Sequence, residues 1–394
     1  MILFFAVLLS GSIDSSFQSG QADFVMKMAM MLPSSGALEK EAKDFLNGRD
    51  TMQFETIKKQ TFMTIPHKGP ELQRIESEIR IDPLTRRTSR ICHFMPLSWK
   101  RPDIDALIAK GGDWCPFCDA NVHRVTPCFA DDFIPEGRMQ KEKMIIFPNL
   151  APYDSISAVA LFGTDRHYIP MTGFTPPLIA GLFAFCFEFF RRVVAAKHPE
   201  AVYHIINWNS MPPSGSSVIH PHLQVFSTST APSLMQQELD AAKTYFAQHG
   251  TSYWDDLVAV EKADGRRYLG KIGRSHWLTA FTPLGTAGDV MAVVEDVRST
   301  LELTTADLAD IAAGLACAMA AYDRMGLYSF NMNFSTSTAD DDTFRFHLLF
   351  SPRVYFNAVL GTPDTGALRN LYNESICMAF PEEINAMLKP DFDA

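Results

Sequence analysis

Cysteine is scarce in this chain: seven in 394 residues, of which only Cys115 and Cys118 stand close together. A set so sparse and odd in number excludes a disulfide scaffold and reads as a protein of a reducing compartment, so a cytoplasmic location is expected. Basic blocks are missing as well. The 35 Lys and Arg are outnumbered by 45 Asp and Glu, for a formal net charge of −10. That balance lacks the footprint of a nucleic-acid binder, and neither nucleic acid nor an anionic membrane is expected as a partner. A phosphate-bearing ligand would have to be met by a few placed arginines. No apolar run reaches the roughly 18 residues of a membrane span. The short apolar opening from Met1 to Leu9 has no Lys or Arg ahead of it and reads as a packing segment rather than a secretory signal. What is present is core material. Hydrophobic residues at 47% and charged residues at 20% exclude disorder, collagen and coiled coil as whole-chain readings.

Patterning along the chain comes in two similar passes. Residues 1–76 carry no readable chemistry and are set apart as an N-terminal extension of unknown role. Residues 144–147 and the alternating stretch 157–162 read as strands. Thr175, followed by Pro176 and Pro177, reads as the N-cap of an apolar helix over residues 178–197. A strand over 202–206, a Pro/Ser/Gly loop over 209–217 and a strand over 219–226 follow. The second pass has strands at 276–281 and 290–294. Its helix is capped by Thr304, with Asp307 completing a capping box, and strands at 328–334 and 343–350 follow. Repetition of one order of elements implies two copies of one supersecondary unit, divided between Thr230 and Ser252. The expected class is α+β, with antiparallel sheets and helices packed against them, in tandem units over residues 77–230 and 231–394.

Along the last strand of the first pass, His220, His222 and Gln224 are spaced by two, and residues two apart on a strand face one side. A neutral imidazole serves as nucleophile or general base near pH 7. Gln224 can donate to a phosphoryl oxygen where negative charge gathers. The loop before it offers backbone N–H groups and the Ser216 and Ser217 hydroxyls to an anion. Without context, two structural histidines beside a turn leave the same pattern. Cys115 and Cys118 are the second signal. No further CxxC exists, which excludes a zinc ribbon; a metal would need two more ligands, for which His167 and His220 are the candidates. The redox alternative needs the pair at a helix start, whereas Asp119-Ala-Asn reads as a turn. His93, His123, His198 and His249 have no partner pattern and read as surface or structural residues.

Taken in order, these residues resemble the galactose-1-phosphate uridylyltransferase family, a branch of the histidine-triad superfamily. Arg80-Ile-Asp-Pro-Leu-Thr85 is similar to its R-x-N/D-P-L-T opening, and Lys100-Arg-Pro102 to its K/R-R-P segment. Cys115-Pro-Phe-Cys118 is similar to its C-x-x-C, Phe147-Pro-Asn149 to its F-x-N, and Asp165-Arg-His167 to its third zinc-ligand segment. His220-Pro-His222-Leu-Gln224 is similar to the signature H-P-H-x-Q. The C-terminal half matches more weakly, at Phe281-Thr-Pro283, Tyr322-Asp323 and residues 346–352. The resemblance implies two histidine-triad-like units and a ping-pong transfer. His222 would take a nucleoside monophosphate, UMP in the family, from a nucleoside diphosphate sugar and pass it to a sugar 1-phosphate. Gln224 would steady the phosphoryl group, Arg101 would neutralise phosphate charge, and Asn149, Asn209 and Ser217 would contact the nucleotide. Cys115, Cys118, His167 and His220 would hold a structural zinc ion, and the chain would form a homodimer.

The chain also departs from the family. Leu223 replaces the usual glycine of the signature, which is similar to the H-x-H-L-Q of diadenosine tetraphosphate phosphorylases. A phosphorylase of a nucleotide sugar or dinucleoside polyphosphate, using orthophosphate, is therefore the alternative. A zinc-stabilised nucleotide-binding protein without turnover is the alternative of another class. Asn331 and Asn333 stand where some members have metal-binding histidines, and His347 alone remains, so a second metal is not expected. No hexose-contacting motif follows Phe356, and Glu374 reads as part of a solvated helix face.

Overall fold

The described residues open on a hairpin. In the computed structural model, which describes residues 52–93, 97–130, 133–355 and 366–393, β1 (Glu55–Thr64) pairs antiparallel with β2 (Leu72–Ile81), and β2 with β3 (Thr88–Cys92). Strand β1 and the start of β2 fall in the stretch set apart as an extension; the Met1–Leu9 segment lies outside the described residues. Two short helices follow, α1 (Asp105–Asp113) and α2 (Val122–Val125). The first pass then reads β4 (Met139–Lys141), β5 (Met144–Pro148), β6 (Ile156–Leu161), α3 (Pro176–Ala195), β7 (Tyr203–Ser210) and β8 (His222–Thr228). Two helices absent from the sequence reading, α4 (Ser233–His249) and α5 (Tyr253–Asp264), fill the boundary. The second pass repeats the first: β9 (Tyr268–Ile272), β10 (Ser275–Thr279), β11 (Val290–Val294), α6 (Thr305–Arg324), β12 (Phe330–Ser335) and β13 (His347–Pro352). Helix α7 (Ala367–Tyr372), β14 (Ser375–Cys377), which pairs parallel with β3, and α8 (Pro381–Phe392) close the chain.

Both passes lie in one ten-stranded sheet of order β4-β5-β6-β8-β7-β12-β13-β11-β10-β9. Read outward from the β7–β12 seam, each half has the same strand order, so the duplication is a pseudo-two-fold about that seam. The halves share this sheet and one core, and residues 54–394 form one compact unit. The reason is visible in the side chains. Leu223 and Val225 of β8 and Leu348 and Phe350 of β13 are fully buried on one face, in the same core as Leu182 and Phe183 of α3 and Ile311 and Leu315 of α6. Splitting the halves would expose these side chains, at roughly 25 cal/mol per Å² of apolar surface.

Local chemistry sets the ends of the elements. Thr304 accepts from the Asp307 N–H while Asp307 reaches back to the Thr304 N–H, the expected capping box. Burial alone would raise the Asp307 carboxyl; hydrogen bonds from Arg274 and Thr304 outweigh it and hold it down at about 2. Thr175 takes the extended N-cap conformation, yet its side chain makes no capping bond; Pro176 and Pro177 remove two N–H groups that would have needed one. Strand β8 begins at His222, three residues later than its alternation implies, because Pro221 has no N–H to give a ladder. Strand β7 runs to Ser210, which brings Asn209 out of the expected loop and onto the sheet. Glu374, expected on a solvated face, accepts from Thr88 and pairs with Arg90 of β3. Among the described residues no helix is long and apolar enough to cross a membrane.

Candidate functional site

The face of the sheet opposite α3 and α6 carries the chemistry. Alternation sends Ala158 and Ala160 of β6 into the main core and Val159 and Leu161 into a smaller cluster with Phe147 and Val122. Leu161 pairs with His222 and Val159 with Gln224 across β6 and β8, so both polar residues share that second face. Phe117, from the turn between the two cysteines, packs on the small cluster and sets its ring 5.3 Å from His222 and 5.9 Å from His220, both edge-on.

Cys115, Cys118, His167 and His220 converge, with their ligand atoms all within 4.8 Å of one another. The Nδ1 of His220 is 3.6 Å from both sulfurs, and the Nδ1 of His167 is 3.6 Å from Cys118 Sγ. A tetrahedral ion bonded to nitrogen at about 2.0 Å and to sulfur at about 2.3 Å requires N···S edges of about 3.5 Å, so the donor set fits one. The outer shell fits as well. His220 Nε2 donates to the Gly163 carbonyl at 2.8 Å, which leaves the Nδ1 lone pair facing the cluster, and the Phe117 N–H points at Cys115 Sγ. Without a cation the sulfurs oppose each other: burial, then the Cys115 thiol, push Cys118 up to about 12. This group could hold a metal ion, and its four members are the residues the spacing singled out.

His220 also places His222. The backbone carbonyl of His220 accepts from His222 Nδ1 at 2.8 Å. A carbonyl only accepts, so Nδ1 carries the proton and Nε2 the lone pair. Burial pushes this imidazole below its ordinary value, so it stays neutral. It is 8% exposed, not sealed. Gln224 lies two residues on, half-buried and paired with Asn207 of β7.

The other sequence candidates are placed unevenly around this pair. Asn207 and Asn209 line a cavity of about 350 Å³ with Ser214, Asn331 and Asn333 of β12, and Arg353 and Arg369 from beyond β13. Asn209 Oδ1 accepts from Asn331 at 2.6 Å. Ser216 is buried and gives its hydroxyl proton to the Val218 carbonyl, while Ser217 is exposed. Gly215, at φ +88°, makes the turn between them and Ser214 that a side chain would strain. Asn149 follows β5 and accepts from the Ala151 N–H. Arg101 is committed elsewhere: it pairs with Asp323 and donates to the Asp323 and Leu327 carbonyls at the end of α6. Asn331, Arg353 and Arg369 were not singled out as binding residues. The signal was there for the first: Asn207-Trp-Asn209 and Asn331-Met-Asn333 repeat one pattern on the two seam strands.

No family model matches the chain. A protein of Archaeoglobus fulgidus, described as uncharacterized, is 30% identical over 317 residues, which is 80% of this chain and 92% of that protein. The chain belongs to its family. Solved structures show the same fold. A GalT-like protein of Arabidopsis thaliana superposes with a TM-score of 0.59 at 17% identity, over 79% of this chain and 98% of that one. An ADP-glucose phosphorylase of Arabidopsis thaliana with bound ADP-glucose gives 0.58 at 16%, with the same coverage. A uridylyltransferase gives 0.57 at 18%, over 80% and 98%. The fold is therefore the α+β fold that these uridylyltransferase, GalT-like and ADP-glucose phosphorylase structures share.

Proposed function

We propose that this chain is a nucleotidyltransferase that moves a nucleoside monophosphate from a nucleoside diphosphate sugar to a phosphate-bearing acceptor through a covalent nucleotidyl-histidine. One observation carries the reading: His222 is held neutral, with Nδ1 tied to the carbonyl of a residue in the Cys2His2 cluster and Nε2 left as its basic atom. In the first half-reaction His222 Nε2 attacks the α-phosphorus. An N–P bond forms, the bond from that phosphorus to the bridging oxygen breaks, and the sugar 1-phosphate leaves with the electron pair. In the second, an oxygen of the acceptor phosphate attacks the same phosphorus and the histidine leaves as neutral imidazole. Gln224 donates to a non-bridging oxygen as the charge builds. Asn209 and the backbone N–H groups around Gly215 meet the remaining phosphate oxygens.

Cys115, Cys118, His167 and His220 would hold zinc, the ion that best suits two thiolates and two imidazoles, and its closed four-ligand shell would supply rigidity rather than bond-making. A homodimer belongs to this reading, and the exposed Phe62 and Leu72 on the β1–β2 hairpin supply apolar surface for one.

The test is a donor screen read by intact-protein mass. The full chain is incubated separately with UDP-glucose and ADP-glucose, then with glucose 1-phosphate or orthophosphate. The expected result is an acid-labile, base-stable gain of one nucleoside monophosphate, absent from His222→Ala, which one of the two acceptors removes. The acceptor that removes it separates transferase from phosphorylase. No label from any donor, with His222→Ala indistinguishable from the native chain, overturns both.

A further inference from the structure

The β7–β12 seam is polar on the site face. Asn209 pairs with Asn331 and Asn207 with Asn333, all four half-buried, while Trp208 and Met332 between them face the core. The pseudo-two-fold relates these two pairs, yet the structure uses them differently. Asn333 Nδ2 turns along its own strand to Ser335 Oγ at 3.3 Å. Asn331 Nδ2 instead crosses the seam, donating to Asn209 Oδ1 at 2.6 Å and to the Ser214 carbonyl at 3.0 Å.

A carboxamide accepts only at oxygen and donates only at nitrogen. With both Asn331 hydrogens spent in this way, Asn209 must keep its oxygen at the seam. The opposite orientation would set two NH2 groups 2.6 Å apart. Asn209 Nδ2 is therefore turned away from the seam as a pure donor. The second bond fixes Ser214, and through it the turn that leads by Gly215 to Ser216 and Ser217. Arg353 and Arg369 line the same cavity, and among the described residues no carboxylate does. Donors and cations without an acidic residue suit phosphoryl oxygens.

We propose that Asn331 is a positioning residue: it locks Asn209 with Nδ2 available to a phosphate oxygen and clamps the loop beside it, so that the second pass sets the anion preference of a site whose nucleophile lies in the first. The ligand part of this inference rests on reading Asn209 as a contact to the nucleotide's phosphates. Asn331 touches no reacting atom and acts through Asn209.

The experiment is a double-mutant cycle on the full chain, with ADP and UDP as calorimetric probes and adenosine and uridine as uncharged controls. Loss of one hydrogen bond to a charged oxygen corresponds to about tenfold in affinity. Asn331→Ala and Asn209→Ala are each expected to weaken diphosphate binding about tenfold and leave nucleoside binding within twofold. The double variant should match Asn209→Ala. Asn331→Asp keeps the shape and reverses the polarity, so Asn209 turns Nδ2 toward it; diphosphate affinity falls at least as far as in Asn331→Ala. Unchanged affinity in Asn331→Ala, multiplied losses in the double variant, or equal loss of nucleoside binding each overturn the inference. If the native chain binds neither diphosphate, the functional reading fails. The lock is then judged separately by 15N-asparagine labelling: the Asn331 side-chain protons should exchange slowly and speed up in Asn209→Ala, and fast exchange in the native chain refutes it.

Discussion

His347 repeats the posture of His222. Each opens its strand, and each gives its Nδ1 proton to the carbonyl two residues back, His220 at 2.8 Å and Arg345 at 3.0 Å. Each pairs across the sheet with an apolar residue, Leu161 for one and Val293 for the other. Their Nε2 atoms meet different surroundings. That of His347 lies 3.5 Å from Glu238 Oε2, and the ring is stacked on Trp254 at 5.0 Å. His222 has the edge of Phe117 instead and, among the described residues, no carboxylate partner. Duplication thus produced two imidazoles with one backbone lock. The helices between the passes, α4 with Glu238 and α5 with Trp254, engage the second and leave the first basic.

Substitution should separate the two. His222→Ala is expected to lose nucleotidyl transfer by about a thousandfold or more, the usual consequence of removing a covalent nucleophile. His347→Gln is expected to keep the label on His222 and to lower stability by about 1–3 kcal/mol, through the Glu238 and Arg345 contacts it gives up. Mass spectrometry of the labelled chain and urea unfolding read the two effects. A label that survives in His222→Ala would show the wrong nucleophile was chosen.

Metal analysis should find one ion per chain, lost in Cys118→Ser. Chelation is expected to expose two thiols to a thiol reagent under native conditions and to cost about 3 kcal/mol or more of stability. Labelling of His222 should slow about ten- to a hundredfold, because the His220 carbonyl that holds its Nδ1 moves with the ligand. Full thiol reactivity before chelation is the contrary result.

The repeat, the Cys2His2 cluster and the place of His222 beside it were legible because each rests on local spacing. Two prolines, an N-cap and a long apolar run locate α3, and Thr304 with Asp307 locates α6, within a few residues. Cys115 and Cys118 announce a cluster by their interval alone. What local spacing does not hold is which groups the fold spends elsewhere. Ser216 looks free until Val218 takes its proton, and Arg101 looks like a phosphate ligand until Asp323 is seen beside it, some 222 residues away in sequence. The Asn209–Asn331 bond spans 122 residues and depends on which strands meet at the seam. Pro221 was a misread signal: its missing N–H delays β8 and turns His220 toward the cysteines while His222 joins the sheet.

Two glycines in the paired long helices should respond with opposite signs. A Cβ added to Gly314 of α6 would lie 2.1 Å from the Trp277 ring, which is fully buried. Gly314→Ala is expected to cost about 1–3 kcal/mol and to shift tryptophan emission. Gly181 of α3 has nothing within 4 Å of the same added atom. Gly181→Ala should stabilise by up to about 1 kcal/mol, the difference in helix propensity. Thermal unfolding of both variants decides; equal signs would contradict the packing of α6 on β10.

Stability should fall in mild acid because of His204. It is 2% exposed, bonded at Nδ1 to Ser227 Oγ at 2.8 Å and packed 5.0 Å from the Phe190 ring. Burial lowers its pKa from 6.5 to about 4. In the unfolded chain the ring protonates near 6.5, whereas in the fold it stays neutral down to about 4, so between these values the unfolded state binds the extra proton. Stability from this group is therefore complete above about 6.5 and is lost progressively as the pH falls toward 4. The slope approaches about 1.4 kcal/mol per pH unit, for a total of at most about 3 kcal/mol. His204→Gln removes the titration. Urea unfolding of both chains between pH 4.5 and pH 7 should show a steeper acid slope in the native chain, whatever the offset between them. Parallel slopes would mean that this ring takes up its proton without leaving the fold.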